Sequence, residues 1–251
     1  MNFDDFDKKM RVYEQSIDQY IVPGMYIVAR LDGRGFTKLT HEICKFEAPF
    51  DIRFRDLMVK TTKYIMDCGF KIIYGYTESD EISLLLSPED NAFSHKVRKI
   101  NTILAGEASG YFSLKLGRPV CFDCRTIPLP NIELVKDYFL WRQTDASRNA
   151  LNAWCYWTLR KEGKGKGEAT SMTNGKTIAF KNELLFQKGI NYNDVPAWQK
   201  RGVGIYYKQI TVEGKNPLTG AAVLVKRNRL EENYELPMGN DYSLMLEQLL
   251  K

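Results

Sequence analysis

The chain has 251 residues, 44% of them hydrophobic and 27% charged, with a formal net charge of +5. This is the composition of an ordinary soluble globular protein, long enough for a substantial core. No apolar run approaches the roughly 20 residues of a membrane span, and no basic-then-apolar leader opens the chain. The mild basic excess is compatible with a nucleic-acid partner without requiring one.

Five cysteines, odd in number and irregularly spaced, suit a reducing cytoplasm. Cys121 and Cys124 form a lone CxxC, and the only histidines are His41 and His95. A zinc site lacks a ligand set, so the pair reads as two reduced thiols on a strand.

In chain order, Phe3, Phe6, Met10, Tyr13, Ile17 and Tyr20 recur at steps of three and four, which predicts an amphipathic helix with one packed face. Val22-Pro23-Gly24 ends it. Met25 to Leu31 predicts a buried strand. Its alternation sets Ile27, Ala29 and Leu31 on one face and Val28, Arg30 and Asp32 on the other. Asp51 is a plausible N-cap for a helix carrying Phe54, Leu57, Met58, Thr61, Tyr64, Ile65 and Cys68, with Gly69 after it. Lys71 to Tyr76 and Glu81 to Leu86 predict two strands joined by a tight hairpin. A long helix is expected from about Phe93 to Leu116, then a strand from Val120 to Ile127.

Strand, helix, strand, strand, helix, strand is the split βαβ, ferredoxin-like pattern of an α+β fold. Its first and third strands lie antiparallel at the sheet centre. Asp32 at the end of one and Asp80 at the start of the other are therefore expected to converge.

After Pro128-Leu129-Pro130-Asn131, a long aromatic-rich helix runs from Ile132 towards Arg160, with a possible break at its polar stretch Arg142 to Asn149. Lys161 to Gly167 is glycine-rich and basic and is expected to be mobile. Lys181 to Phe186 reads as a short helix. Val203 to Val212 and Ala221 to Leu230 flank Asn216-Pro217 as a hairpin, and Ser243 to Leu250 reads as a last helix. With no repeat and no clean linker, residues 131–251 are expected to pack on residues 1–130 as one structural unit.

The stretch Arg30-Leu31-Asp32-Gly33-Arg34-Gly35-Phe36 and the stretch Tyr74 to Glu81 carry the candidate chemistry. Two carboxylates at a sheet centre are costly unless paired or metal-bound. Three explanations stand: an ion pair with Arg30 or Arg34, turn capping by Asp32 and Asp80, or Mg²⁺ held by both carboxylates with the Gly33 carbonyl. The amides of Gly33 to Thr37 can form an anion nest. Lys96 and Lys99 share a helix face from which a phosphate tail is in reach. Glu81, by alternation, points away from Asp80 and is the weaker ligand. Candidate RNA contacts are the Lys161 to Lys166 loop with Lys164 and Lys166, Lys200-Arg201, and Lys226 to Arg229 with Arg227 and Arg229.

At these residues the sequence resembles the tRNA(His) guanylyltransferase superfamily. Arg30-Leu31-Asp32-Gly33-Arg34 and Ser79-Asp80-Glu81 match its signature. So do Trp141-Arg142-Gln143-Thr144-Asp145, Lys181-Asn182-Glu183 and Gly189-Ile190-Asn191-Tyr192-Asn193, in the family's order.

The resemblance implies a polymerase-palm-like domain over residues 1–130, with helical and β-hairpin additions over 131–251. It also implies two Mg²⁺ ions and 3′-to-5′ addition of nucleotides to a tRNA 5′ end that ATP first activates. Asp32 and Asp80 would be the catalytic, metal-bridging carboxylates, with Gly33 lending its carbonyl. Asp32, Gly33, Arg34, Gly35, Phe36, Thr37, Ser79 and Asp80 would bind the nucleotide (GTP or ATP), with Lys96 and Lys99 on its triphosphate. Members are typically homotetramers.

One departure matters. Where eukaryotic members carry a His-Ile-Asn-Asn block tied to the histidine tRNA, this chain reads Ser147-Arg148-Asn149-Ala150, keeping only Asn149 as a counterpart for RNA. The resemblance therefore points to the branch that repairs truncated tRNA 5′ ends from a template. Addition of a single G to tRNA(His) is the alternative. A palm-type nucleotide cyclase lacks its Gly-Gly-Asp-Glu-Phe-type signature here, and a non-catalytic RNA-binding protein would bind without turnover.

Overall fold

The computed structural model describes residues 2–215 and 222–250. The first half holds α1 (Phe3–Gln15), β1 (Tyr26–Gly33) and α2 (Phe36–Lys38), which runs into a π-helical turn (Leu39–Ile43). There follow α3 (Ile52–Ile65), β2 (Ile72–Glu78), β3 (Glu81–Leu86), a 3₁₀ turn (Ala92–His95), α4 (Val97–Leu116) and β4 (Phe122–Leu129). The second half holds α5 (Ile132–Lys161), α6 (Lys166–Thr173), α7 (Ile178–Gln187), a 3₁₀ turn (Tyr192–Asp194), α8 (Ala197–Arg201), β5 (Val203–Lys215), β6 (Ala222–Asn233) and α9 (Gly239–Leu249).

The strands form one antiparallel six-stranded sheet in the order β4-β1-β3-β2-β5-β6, an α+β architecture. The alternation of β1 decides its two faces. Ile27, Ala29 and Leu31 pack under α3 and α4 with Met58, Ile65, Ile100, Leu104 and Phe112. Val28 belongs to the opposite layer, with Tyr74, Tyr76 and Leu85 under Val135, Tyr138 and Phe139 of α5 and Tyr242 and Leu246 of α9. Asn216 and Pro217 of the expected hairpin lie outside the described residues.

Four expectations are corrected. First, α1 forms, capped by the Asn2 side chain, but buries none of its residues. Phe3 is 77% and Ile17 86% exposed, so the predicted packed face has no cover among the described residues.

Second, the helix expected from Phe93 begins at Val97. Phe93, Ser94 and His95 have φ near +50° to +57°, a left-handed turn that a right-handed helix cannot contain. Segment 18–21 holds the turn. The Ile21 N–H donates to the His95 carbonyl (3.1 Å), and the Val97 N–H donates to the Gln19 carbonyl (2.9 Å).

Third, α5 is unbroken over 30 residues. Its polar belt turns inward. Arg142 bonds Glu81, and the Gln143 amide donates to the Pro237 carbonyl (2.9 Å). Fourth, the expected Lys161–Lys166 loop is shorter, since α5 runs through Lys161 and α6 begins at Lys166, with Lys164 paired to Glu168 at 2.7 Å.

Asp51 caps α3 as its sequence position suggests. Its carboxylate accepts from the Arg53 and Glu47 amides, each at 2.7 Å, and from the Arg53 guanidinium. The Arg53 side chain foremost, with those amides, lowers the Asp51 carboxyl to about 2 from its ordinary 3.8. A depressed carboxyl stabilises the fold above its unfolded value and loses that contribution as pH falls through its folded one. Asp51→Ala is therefore expected to cost about 1–2 kcal/mol near neutrality, in the range of a lost helix cap. Urea melts should show the gap to wild type closing as pH drops from 3.8 towards about 2.

Candidate active site

The strand register builds a row of acids. Asp123 of β4 lies opposite Asp32 of β1, Asp32 opposite Glu81 of β3, and Glu81 opposite Glu78 of β2. Directly paired residues of antiparallel strands point to the same face, and like charges in such pairs repel. Four carboxylates thus cross four strands on the face that α5 covers.

Two arginines offset part of this charge. Arg142 grips Glu81 with two bonds, Nε to Oε1 at 2.7 Å and Nη2 to Oε2 at 2.8 Å. Arg30 forms an ion pair with Glu81 and reaches Asp32 more loosely, Nη2 to Oδ2 at 3.4 Å. Arg142 also touches Asp145, which Arg148 holds at 2.6 Å. Glu78 is half-buried with no such partner among the described residues. Burial foremost, then the charge of Glu81, pushes its carboxyl up to about 8.

Asp80 sits in the two-residue turn between β2 and β3, after Ser79 at φ +51°. The Ser79 hydroxyl donates to Asp80 Oδ1 at 3.1 Å. The Gly33 N–H donates to the Asp80 carbonyl at 3.0 Å, which ties the end of β1 to this turn. Burial foremost, with the charge of Asp32 added, raises the Asp80 carboxyl. Asp32 and Asp80 are thus neighbours, as the topology leads one to expect. Of the three explanations for them, the ion pair falls chiefly to Glu81. That residue is only 8% exposed and committed to both arginines, whereas the Asp32 side chain is 37% exposed.

The chain then turns through Gly35, at φ +74°, into α2. A helix start leaves its first N–H groups without intrahelical acceptors, and the amides of Phe36 to Lys38 occupy that position. Arg34, Gly35, Thr37 and Lys38 are exposed around them. The Phe36 side chain does not belong to this surface. It is 2% exposed, with ring centroids 5.0 Å from Phe122 and 5.3 Å from Phe112. What Phe36 lends to this surface is its backbone amide, the part of the residue that the expected anion nest uses. The same ring explains Gly33, where a Cβ would meet Phe36 ring atoms at 2.5–2.8 Å.

Beside Ser79 opens a pocket that no sequence pattern announces. Phe46, Phe50, Phe54, Met58, Trp198 and Val203 form its apolar walls, with Thr77, Ser79, Glu47 and Asp51 at its polar margin. The rings of Phe50 and Trp198 meet edge-on at 5.9 Å, and the Arg55 guanidinium stacks on Trp198 at 4.7 Å. Its lining comes from segments about 150 residues apart in sequence, so no local motif reveals it.

Lys96 and Lys99 are not part of this cluster. Most of the 20-residue α4, which is roughly 30 Å long at 1.5 Å per residue, lies between them and it, because its C-terminal end leads to Phe122, the partner of Gly33. Lys96 is bound to Asp18 at 2.7 Å and sits over the Tyr20 ring. Lys200 and Arg201 also turn inward, Lys200 to the Asn193 carbonyl at 2.9 Å and Arg201 to the Leu236 carbonyl at 2.9 Å. Lys166, Arg227 and Arg229 are exposed, as is Asn149 beside Asp145. The five cysteines are unpaired.

Among the described residues no three His, Cys, Asp or Glu side chains gather into a metal-holding group. Magnesium does not need one, since it is commonly bound by one or two carboxylates with phosphate oxygens and water completing the shell. Asp32 and Asp80, mutually repelling and with one only loosely touched by an arginine, fit that donor set. Among the described residues no helix is long and apolar enough to cross a membrane.

The chain is similar to known proteins along most of its length. Residues 7–130 match the family model described as tRNAHis guanylyltransferase, and residues 133–236 match the one described as Thg1 C terminal domain. The chain is 33% identical to the probable tRNA(His) guanylyltransferase of Dictyostelium discoideum, over 87% of this chain and 90% of that one. It is also 33% identical to the Drosophila melanogaster protein of the same description, over 82% and 75%. It superposes on a bacterial tRNA(His) guanylyltransferase (Thg1)-like protein solved in complex with ATP, with a TM-score of 0.74 at 26% identity, covering 97% and 98% of the two chains.

Replacing Gly33 by alanine forces the Phe36 ring out of its place. Gly33→Ala is expected to destabilise the fold by about 1–3 kcal/mol, the cost of overpacking a filled core. A shift of the urea midpoint checks this, and an unshifted midpoint means the ring has another place to go.

Proposed function

The chain belongs to the tRNAHis guanylyltransferase family and is a nucleotidyltransferase, and from that premise we propose that it adds guanylate from GTP to the 5′ end of a tRNA. The observation that carries this reading is the meeting of Asp32 and Asp80 between an anion nest and an aromatic pocket. The three parts match the three parts of a nucleoside triphosphate.

The base enters between Phe50, Phe54 and Trp198. The triphosphate lies on the amides of Gly35 to Lys38, with Arg34 and Lys38 alongside. Asp32, Asp80 and the Gly33 carbonyl would hold two magnesium ions. When bound, these supply charge neutralisation for displacement at phosphorus. The chain's own part is to fix the reacting groups in line and keep α5 closed behind them. ATP activates a 5′-monophosphate by adenylylation, releasing pyrophosphate. The 3′-hydroxyl of GTP then attacks that phosphorus, forms the new phosphodiester and expels AMP.

Residues 1–130 are read as a ferredoxin-like palm, on the order β4-β1-β3-β2 with α3 and α4 on one face. Residues 131–251 extend it, since β5 continues the same sheet. RNA is gripped by the exposed Lys166, Arg227 and Arg229 with Asn149, the protein works in the cytoplasm, and four copies assemble through surfaces such as the uncovered stripe of α1.

Relatives' descriptions favour tRNA(His) as substrate. A second reading, templated repair of truncated tRNA 5′ ends, is favoured by one observation: Ser147-Arg148-Asn149-Ala150 stands where the histidine-tRNA block would be, with Ser147 spent on the Lys200 carbonyl at 2.7 Å.

The test incubates the protein, Mg²⁺, ATP and labelled GTP with two RNAs, tRNA(His) lacking its extra 5′ G and another tRNA lacking its first nucleotide. Label is expected in tRNA, with Asp32→Ala and Asp80→Ala reduced to background while still folded. Label only in tRNA(His) selects the first reading, and label in both selects the second. A cyclic product, or RNA binding without incorporation, would sink both.

A further inference from the structure

Glu81 is opposite Asp32 in register, yet it takes the arginine that Asp32 would otherwise have. Arg30 has two ion-pair partners among the described residues, Glu81 closely and Asp32 at 3.4 Å. Its Nε is buried with no hydrogen-bond partner among the described residues. Its register neighbours are Ser83, whose hydroxyl is engaged with the Tyr138 hydroxyl at 3.2 Å, and the like-charged Arg125. Arg142, with a side chain 6% exposed, pins Glu81 from the other side through two bonds.

We propose that Glu81 is a positioning residue that restrains Arg30 and so keeps the Asp32 carboxylate free for a divalent cation. Glu81 and Asp32 compete for Arg30. A guanidinium settles on the closer and better fixed carboxylate charge. Arg142 fixes Glu81 where its Oε2 meets Arg30 Nη2, so the Arg30 guanidinium stays on Glu81 and only grazes Asp32. If Glu81 loses its charge, Asp32 becomes the remaining carboxylate in reach of Arg30. Arg30 then closes the 3.4 Å gap and neutralises Asp32. The two arginines thus have different duties. Arg142 anchors Glu81, and Arg30 is the group that must be kept away.

This inference rests on the metal reading of Asp32, and the experiment separates the two. Mn²⁺ serves as the probe, its bound fraction read by electron paramagnetic resonance on the purified full chain without nucleotide, with Asp32→Ala defining which binding belongs to the site. Glu81→Gln keeps the volume and an acceptor for Arg142. It is expected to weaken Asp32-dependent Mn²⁺ binding by about tenfold, the usual scale for groups that position a metal ligand. Adding Arg30→Gln to Glu81→Gln should restore binding to within a few-fold of wild type, and Arg30→Gln alone should bind several-fold more tightly than wild type.

Restoration in the double variant is the outcome that a merely structural role cannot give. If Glu81→Gln does not fold, Arg30→Gln alone decides, because it leaves the Arg142–Glu81 pair intact. Wild-type affinity in Glu81→Gln, a double variant as weak as Glu81→Gln, or an Arg30→Gln variant no tighter than wild type would each overturn the restraint. A wild-type protein with no Asp32-dependent Mn²⁺ signal would overturn the metal reading itself.

Discussion

Glu81 lies in the middle of the sheet with a guanidinium on each side of it, and the neighbouring features are arranged around that contact. Burying a carboxylate is tolerable only when its charge and its lone pairs are met, and losing one partner of such a pair typically costs about 3–5 kcal/mol. The contact joins three elements that are distant in sequence: β1 through Arg30, β3 through Glu81 and α5 through Arg142. It fixes the register in which Asp32 faces Glu81, and it holds α5 against the sheet at the level where the acids line up. Without it, four strands would carry a row of like charges under a helix with little to offset them.

The same contact accounts for the composition of α5. Along most of its 30 residues the helix presents apolar side chains, Val135, Tyr138 and Phe139 to one cluster and Leu151, Cys155 and Leu159 to another. Between them lies a polar belt, where the helix passes over the acids and where apolar groups would leave charges unmet. Arg142 and Gln143 are buried there, and Asp145 and Arg148 continue the pairing outward. A helix can carry buried polar residues without breaking when each one has a partner, because its backbone ladder does not depend on them.

Much of this was legible in the residues. Alternation in β1 sorted Ile27, Ala29 and Leu31 from Val28 and Arg30. The strand–helix order placed Asp32 next to the Asp80 turn, and Asp51 announced a cap. Local patterns report local geometry, so these readings held. What depended on long-range placement was not legible. Helical spacing gave Lys96 and Lys99 a shared face but not the end of the sheet at which that face lies. The left-handed turn at Phe93 to His95 follows no glycine and leaves no compositional trace. Lys200 and Arg201 read as a surface pair, yet both are bound to backbone carbonyls. The stripe on α1 reads as a packed face because periodicity shows that a face is apolar and not what covers it. The aromatic pocket needs Phe50 and Trp198 together, and the distance between them in sequence hides it.

The ring of Phe36, locked behind Gly33 by Phe54, Phe112 and Phe122, has a thermodynamic meaning for the loop in front of it. A flexible glycine-containing segment that closes around an anion gives up conformational entropy at the moment of capture, and that loss is subtracted from affinity. Here the ordering is done during folding, at the expense of the core's packing energy. On the proposed reading, the segment meets its anion already shaped, so binding draws on electrostatics with little subtracted for immobilising the chain.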